Sequence, residues 1–203
     1  MAQADEREDA HRSGGTLNER RGLRRAAFMS AALDLIGEQG TAAVTMRALC
    51  RETGLADRYF YESFESRDEL LVNLYVQVAK EVSDAIAKTA AKGDPAAFAR
   101  ALAETIVDFA FADPRKGRLF IVESLSDPAL RAITLATIPT FTKLIRTTLP
   151  RTGRPSERAI VSIGLFGAIG AIFLAWQSGN FEATRDELVT DCERLTLRIM
   201  AVD

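Results

Sequence analysis

Apolar positions return every three or four residues along most of this chain. The blocks they form are separated by Gly, Pro and Asp-Pro pairs, the pattern of amphipathic helices packed on one another. Phe28, Ala31, Ala32, Leu35 and Ile36 draw one such face over about 19–38, and Gly37 and Gly40 close it. A short run over 45–53 stops at Gly54, Leu55 follows as an apolar plug, and a second short run covers 56–63. Leu71, Leu74, Val78, Val82 and Ile86 carry a stripe over about 66–91, which opens on the capping box Ser66-Arg67-Asp68-Glu69 and breaks at Lys92-Gly93. At roughly 25 residues such a helix reaches close to ~40 Å, enough to connect two domains. Asp94-Pro95, Asp113-Pro114 and Asp127-Pro128 each set a capping Asp before a Pro at the first helical position, and predict helices over 95–112, 114–125 and 128–149. Pro139 is expected to kink the last of these. Beyond the linker Thr152-Gly153-Arg154-Pro155, a helix over 156–177 carries the small residues Gly164, Gly167, Ala168, Ala171 and Ala175. A final helix over 184–202 opens on the capping box Thr184-Arg185-Asp186-Glu187 and aligns Leu188, Cys192, Leu195, Ile199 and Val202 on one seam. There is no strand pattern, repeat or phosphate-loop glycine pattern. Residues 1–18, with few apolar side chains and a Ser13-Gly14-Gly15 break, are expected to form a disordered tail.

The chain has 203 residues, 47% of them hydrophobic and 27% charged, which suits one large or two small globular domains. A net charge of −2 means that any nucleic-acid footprint must be local. One local concentration exists: Arg20, Arg21, Arg24 and Arg25, with Arg12 before it and Arg47, Arg51, Arg58 and Arg67 after it. Cations at a helix start oppose the helix dipole, a conflict that an anionic partner relieves; the plain alternative is a solvated basic face. His11, in the tail, is the only histidine, so the folded part has no histidine for a metal site or a catalytic triad, and no cofactor motif is present. Cys50 and Cys192 sit far apart on predicted helices, as reduced thiols of a cytoplasmic protein do. The polar N-terminus lacks a secretory signal. The apolar stretch over 160–176 is shorter than the ~20 residues that cross a bilayer, so a buried interface helix is expected there, with membrane association as the alternative.

Residues 45–64, TMRALCRETGLADRYFYESF, are the most informative stretch. Two short helices joined by a turn with Gly54 make a helix-turn-helix. Met46, Leu49, Leu55, Phe60 and Phe64 can share a small core, which leaves Asp57, Arg58, Tyr59, Tyr61 and Glu62 to point elsewhere. Thr45, Thr53-Gly54-Leu55, Tyr61-Glu62-Ser63-Phe64, Ser66-Arg67 and Leu70, in this order, resemble the DNA-binding end of the TetR family of bacterial transcriptional regulators. Two positions depart from the family pattern: Ser63 stands where His is common, and Ala56 where a capping Ser or Thr is common. Arg58 and Tyr59, on the exposed side of the recognition helix, can reach base edges in a major groove. Arg24, Arg25, Thr45, Arg47, Tyr61 and Arg67 suit phosphate contacts, a role the resemblance implies for the matching positions.

The resemblance implies an all-α fold: a helix-turn-helix DNA-binding domain over 19–65, and a ligand-binding and dimerisation domain over 66–203 that begins with the 66–91 connector, about nine helices in all. It further implies a non-enzymatic repressor that binds a palindromic double-stranded operator as a homodimer through 156–177 and 184–202, with no cofactor and no membrane. A small apolar or aromatic effector would bind between the helices of the second domain and release the DNA. Phe109, Phe120, Phe141 and Trp176 are the candidate lining, and Glu123 the candidate polar group. Glu104 and Asp108, four apart on one helix face, are further carboxylates there, more simply read as solvated or ion-paired. The competing function is a helical small-molecule carrier or enzyme with an incidental helix-turn-helix.

Overall fold

A computed structural model describes residues 2–89, 94–149 and 154–200, and among these there is no strand. Lys92-Gly93, Thr152-Gly153 and Val202 lie outside the described residues, as do the side chains of Arg12 and His11. The helices are α1 (Ala2–Gln39), α2 (Met46–Thr53), α3 (Asp57–Tyr61), α4 (Arg67–Thr89), α5 (Pro95–Ala112), α6 (114–126), α7 (Pro128–Thr148), α8 (Pro155–Gln177) and α9 (Arg185–Met200). The chain divides into two compact units, Met1–Leu74 and Tyr75–Asp203. Their boundary falls inside α4 rather than before it, because Leu70, Leu71 and Leu74 of its first turns are already buried.

In the first unit, α1 extends back to Ala2, through the segment expected to be a tail. The expectation rests on few apolar residues and on the Ser13-Gly14-Gly15 break; the helix runs through that break, and Ala, Gln, Glu and Arg on either side of it are good helix formers that need no apolar face to prolong a helix already formed. A 3-10 turn at Thr41–Ala43 leads into α2, whose N-cap Thr45 accepts the Ala48 N–H at 3.1 Å. Gly54 ends α2 at φ +67°, a conformation that a Cβ would strain. Ala56 caps α3 with no side chain, and Asp57 Oδ1 instead accepts the Arg58 N–H at 2.8 Å. Phe28, Leu49, Phe60 and Phe64 are the buried centre, with Phe60 edge-on to Phe28 at 5.5 Å; Met46 and Leu55 are only half-buried at its rim.

In the second unit the three Asp-Pro starts form as their chemistry dictates. Asp94 accepts from Ala96 and Ala97, Asp113 from Arg115, and Asp127 from Ala129. At α9, Thr184 and Glu187 close a reciprocal capping box. The 114–126 segment is not one regular α-helix: Pro114–Gly117 is α, Arg118–Glu123 is π and Ser124–Ser126 returns to α. Pro139 lies inside an uninterrupted α7. The seam of α9 turns inward: Leu188 and Cys192, together with Val189 and Thr196, are buried where α9 packs along α5. Arg100–Glu193 at 3.1 Å and Arg185–Asp108 at 2.7 Å clasp the same pair of helices. Burial pushes the Cys192 thiol up to about 11, so it stays neutral and unreactive. α8 is long and apolar enough to cross a membrane, by length and composition, yet Leu165, Ile169 and Phe173 are core residues of this unit.

Candidate nucleic-acid interface and internal cavity

The short α3 is aimed by α1. Arg24 pairs with Glu62 at 3.1 Å and lies over the Tyr59 ring at 4.4 Å. Arg25 donates to the Ser63 carbonyl and covers the Phe64 ring at 4.2 Å. Arg58 donates to the Tyr59 hydroxyl at 2.7 Å and also lies over that ring, at 4.6 Å. Tyr59 is thus oriented by two guanidinium groups and is half-buried, while Arg58, Arg47 and Thr45 are exposed and Tyr61 is 60% exposed. Arg58, Tyr61, Arg47 and Thr45 offer guanidinium and hydroxyl donors to a polyanion. Arg24 and Arg25 also bind the protein itself and fix the attitude of α3, a role that side chains 38 positions apart do not announce in the sequence.

Arg67 requires a larger correction. The sequence places it on a phosphate, but its guanidinium turns back into the fold. Nε donates to the Val44 carbonyl at 2.9 Å, one terminal nitrogen to the Thr41 carbonyl at 2.8 Å, and the other to Asp68 at 3.0 Å. In the turn between α1 and α2 the Thr41 carbonyl also accepts the Val44 N–H at 3.0 Å, and Arg67 adds charged donors to it and to the Val44 carbonyl. Replacing Arg67 with Ala should therefore destabilise the first unit by about 2–3 kcal/mol, the loss of two charge-assisted bonds with some solvent compensation. A thermal melt should show its transition about 10 °C lower. Lys, a single point donor, should not restore it. An unchanged melt with a salt slope reduced by about one unit would return Arg67 to the phosphate role.

Within the second unit, a cavity of about 360 Å³ lies among α4 to α8, in the lower part of the range that ligand sites occupy. Four of its rings form a chain across four helices. Tyr75 stacks on Phe120 at 5.5 Å, Phe120 meets Phe141 edge-on at 5.5 Å, and Phe141 stacks on Phe166 at 5.8 Å. α5 closes another side with Leu102, Ile106 and Phe109. Phe109, Phe120 and Phe141 line this cavity. Two candidates do not. Glu123 is buried outside the lining, ion-paired to Arg118 at 3.0 Å, and Trp176 stacks on Phe111 at 4.9 Å. Glu104 and Asp108 are held by Arg100 and Arg185. Sequence reasoning also misses Tyr75, although it falls in the α4 stripe between Leu74 and Val78 and is the one member with a polar tip. Among the described residues there is no cluster of metal-ligating side chains.

The first unit is thus a helix-turn-helix unit and the second a helical unit with an internal apolar cavity. Residues 28–74 match the model of bacterial regulatory proteins, tetR family, and the match ends where the first compact unit does. The chain is 36% identical over 74 residues to the HTH-type transcriptional regulator BetI of Rhizobium meliloti, a match that covers 36% of this chain and 36% of BetI. A transcriptional regulator of Rhodococcus sp. RHA1 superposes with a TM-score of 0.75 at 17% identity, covering 87% of this chain and 95% of that one. The FadR regulator of Bacillus subtilis, solved with stearoyl-CoA, superposes at 0.72 and 14% identity, covering 87% and 97%.

Proposed function

We propose that this protein is a cytoplasmic, non-enzymatic repressor that binds a palindromic operator as a homodimer and leaves it when a small apolar molecule fills the cavity. The observation that carries the DNA-binding part is the exposed Arg58 on an α3 whose attitude is fixed by Arg24 and Arg25 from α1. Tyr75, Val82 and Ile86 of α4 line the cavity, and α4 is also the helix in which the first unit ends. A ligand that binds better to the state mismatched with DNA shifts the protein toward that state. Homodimerisation is supported by α8, which exposes Ile160, Ile163, Gly164, Gly167 and Ala171 at three- and four-residue spacing. The contribution of α9 is confined to its outer edge, since Leu188 and Cys192 of its seam are buried where it packs along α5 and Ile199 packs against Ile145, Leu149 and Leu165.

The test is a salt titration of binding to a palindromic duplex from beside its own coding region and to a scrambled duplex. Preference for the former supports sequence-specific regulation; equal, salt-insensitive weakness on both defeats it. In the same assay Arg58→Ala should cost about 1–3 kcal/mol on the cognate duplex and little on the scrambled one. An unchanged ratio between the two duplexes would remove Arg58 from the reading face.

A further inference from the structure

If the cavity is a ligand site, as proposed above, the hydroxyl groups in its wall determine what the ligand must carry. Among the described residues the lining holds no charged side chain, and its hydroxyls belong to Tyr75, Ser124 and Thr134. Each hydroxyl has a single hydrogen to give. Ser124 Oγ gives its own to the Phe120 carbonyl at 2.7 Å, and Thr134 Oγ1 to the Leu130 carbonyl at 2.8 Å. The Tyr75 oxygen lies 3.1 Å from Thr137 Oγ1, a contact that either atom could donate. Thr137, however, spends its hydrogen on the Thr134 carbonyl at 2.7 Å, and a carbonyl can only accept. Tyr75 is therefore the donor to Thr137, and all three hydroxyl hydrogens of the lining are committed to the protein. The side chains offer the cavity lone pairs and no hydrogens.

We propose that the cavity selects a neutral, mainly apolar molecule bearing one hydroxyl or similar donor, that the Tyr75 phenol oxygen accepts that hydrogen, and that carboxylates are rejected. Tyr75 is the acceptor best placed for this, since it is 1% exposed and its ring is held flat on Phe120. A ligand hydroxyl entering here exchanges a bond to water for one to the phenol oxygen. An ether or ester brings only acceptors, which find no partner. A carboxylate in addition loses its hydration with no cation to replace it.

Calorimetry on the full chain with 4-propylphenol, its methyl ether and 4-propylbenzoate tests this. The phenol should bind about tenfold tighter than the ether, the worth of one hydrogen bond. The benzoate should be weaker again by at least about a hundredfold. The sign is diagnostic, because in a cavity without an acceptor the ether, with less to desolvate, would bind tighter than the phenol. Tyr75→Phe keeps the ring and should bring the phenol down to the ether while the ether is unchanged. Binding of all three with equal affinity, or with the benzoate first, overturns the proposal and leaves the cavity a ligand site. A phenol preference that survives Tyr75→Phe overturns the assignment to Tyr75. Failure of all three to bind overturns the ligand-site reading, and this proposal with it.

Discussion

Replacing Phe60 with alanine should unfold the DNA-binding unit at growth temperature while the second unit keeps its own transition. The Phe60 ring is 1% exposed, edge-on to Phe28 at 5.5 Å and tilted against Phe64 at 5.8 Å, so it joins α1, α3 and the segment after α3. Truncating a buried Phe costs about 3–5 kcal/mol, partly as lost transfer energy and partly as the cavity left behind. Whole domains are stable by only about 5–15 kcal/mol, and small units sit at the low end. Differential scanning calorimetry should show the first transition lowered below working temperature, and binding to every duplex should be lost together. The adjacent Tyr61, 60% exposed, is the control: Tyr61→Ala should stay within about 0.5 kcal/mol of the original stability. If Phe60→Ala melts with the unsubstituted protein, α3 is held by something other than this ring cluster.

Ile163→Glu should convert a dimer into monomers without unfolding either. Ile163 is 56% exposed, and Ile160, one turn before it, is 70% exposed, so a carboxylate there is harmless to the isolated chain. In a two-fold interface centred on α8 the same substitution appears twice, and each copy buries an unpaired charge at about 3–5 kcal/mol. The dimer dissociation constant should rise by at least about four orders of magnitude. Gly167 lies on the same face but also borders the cavity, so a bulky residue there would confound assembly with ligand binding. Sedimentation velocity at micromolar concentration is the measurement. An unsubstituted chain that sediments as a monomer, or a variant that remains dimeric, would remove α8 as the assembly surface.

Signals that act within a few residues are legible in this chain. The Asp-Pro starts, the Gly54 turn, the Thr184 capping box and the alternation of apolar positions each follow from local chemistry, and each element forms where that chemistry places it. Partnerships across long stretches are not legible. Arg67 looks like any basic residue at a helix start until the carbonyls of Thr41 and Val44, some twenty-odd positions earlier, come into reach. The α9 seam correctly announces a packed helix pair but not its partner, α5. In α6 the π segment shifts the register, so counting by threes and fours from Pro114 mislays which side chains face inward. Phe109, Phe120 and Phe141 were accessible to reasoning because large rings on neighbouring helices must meet. Glu123 and Trp176 lie behind the lining, and composition cannot tell a cavity wall from the layer behind it.

α7, one wall of the cavity, lacks one backbone hydrogen bond and carries a row of threonines. Pro139 has no N–H to give the carbonyl four residues earlier, and the hydroxyls of Thr134, Thr137, Thr142 and Thr147 all reach back to helix carbonyls. Carbonyls already shared with hydroxyls let such a helix flex without stranding a polar group. The volume behind it is then a property that substitutions can retune gradually. Swapping a few side chains on α7 changes what fits while the helix re-seats itself, so the shape of this cavity can drift without any change in the first unit.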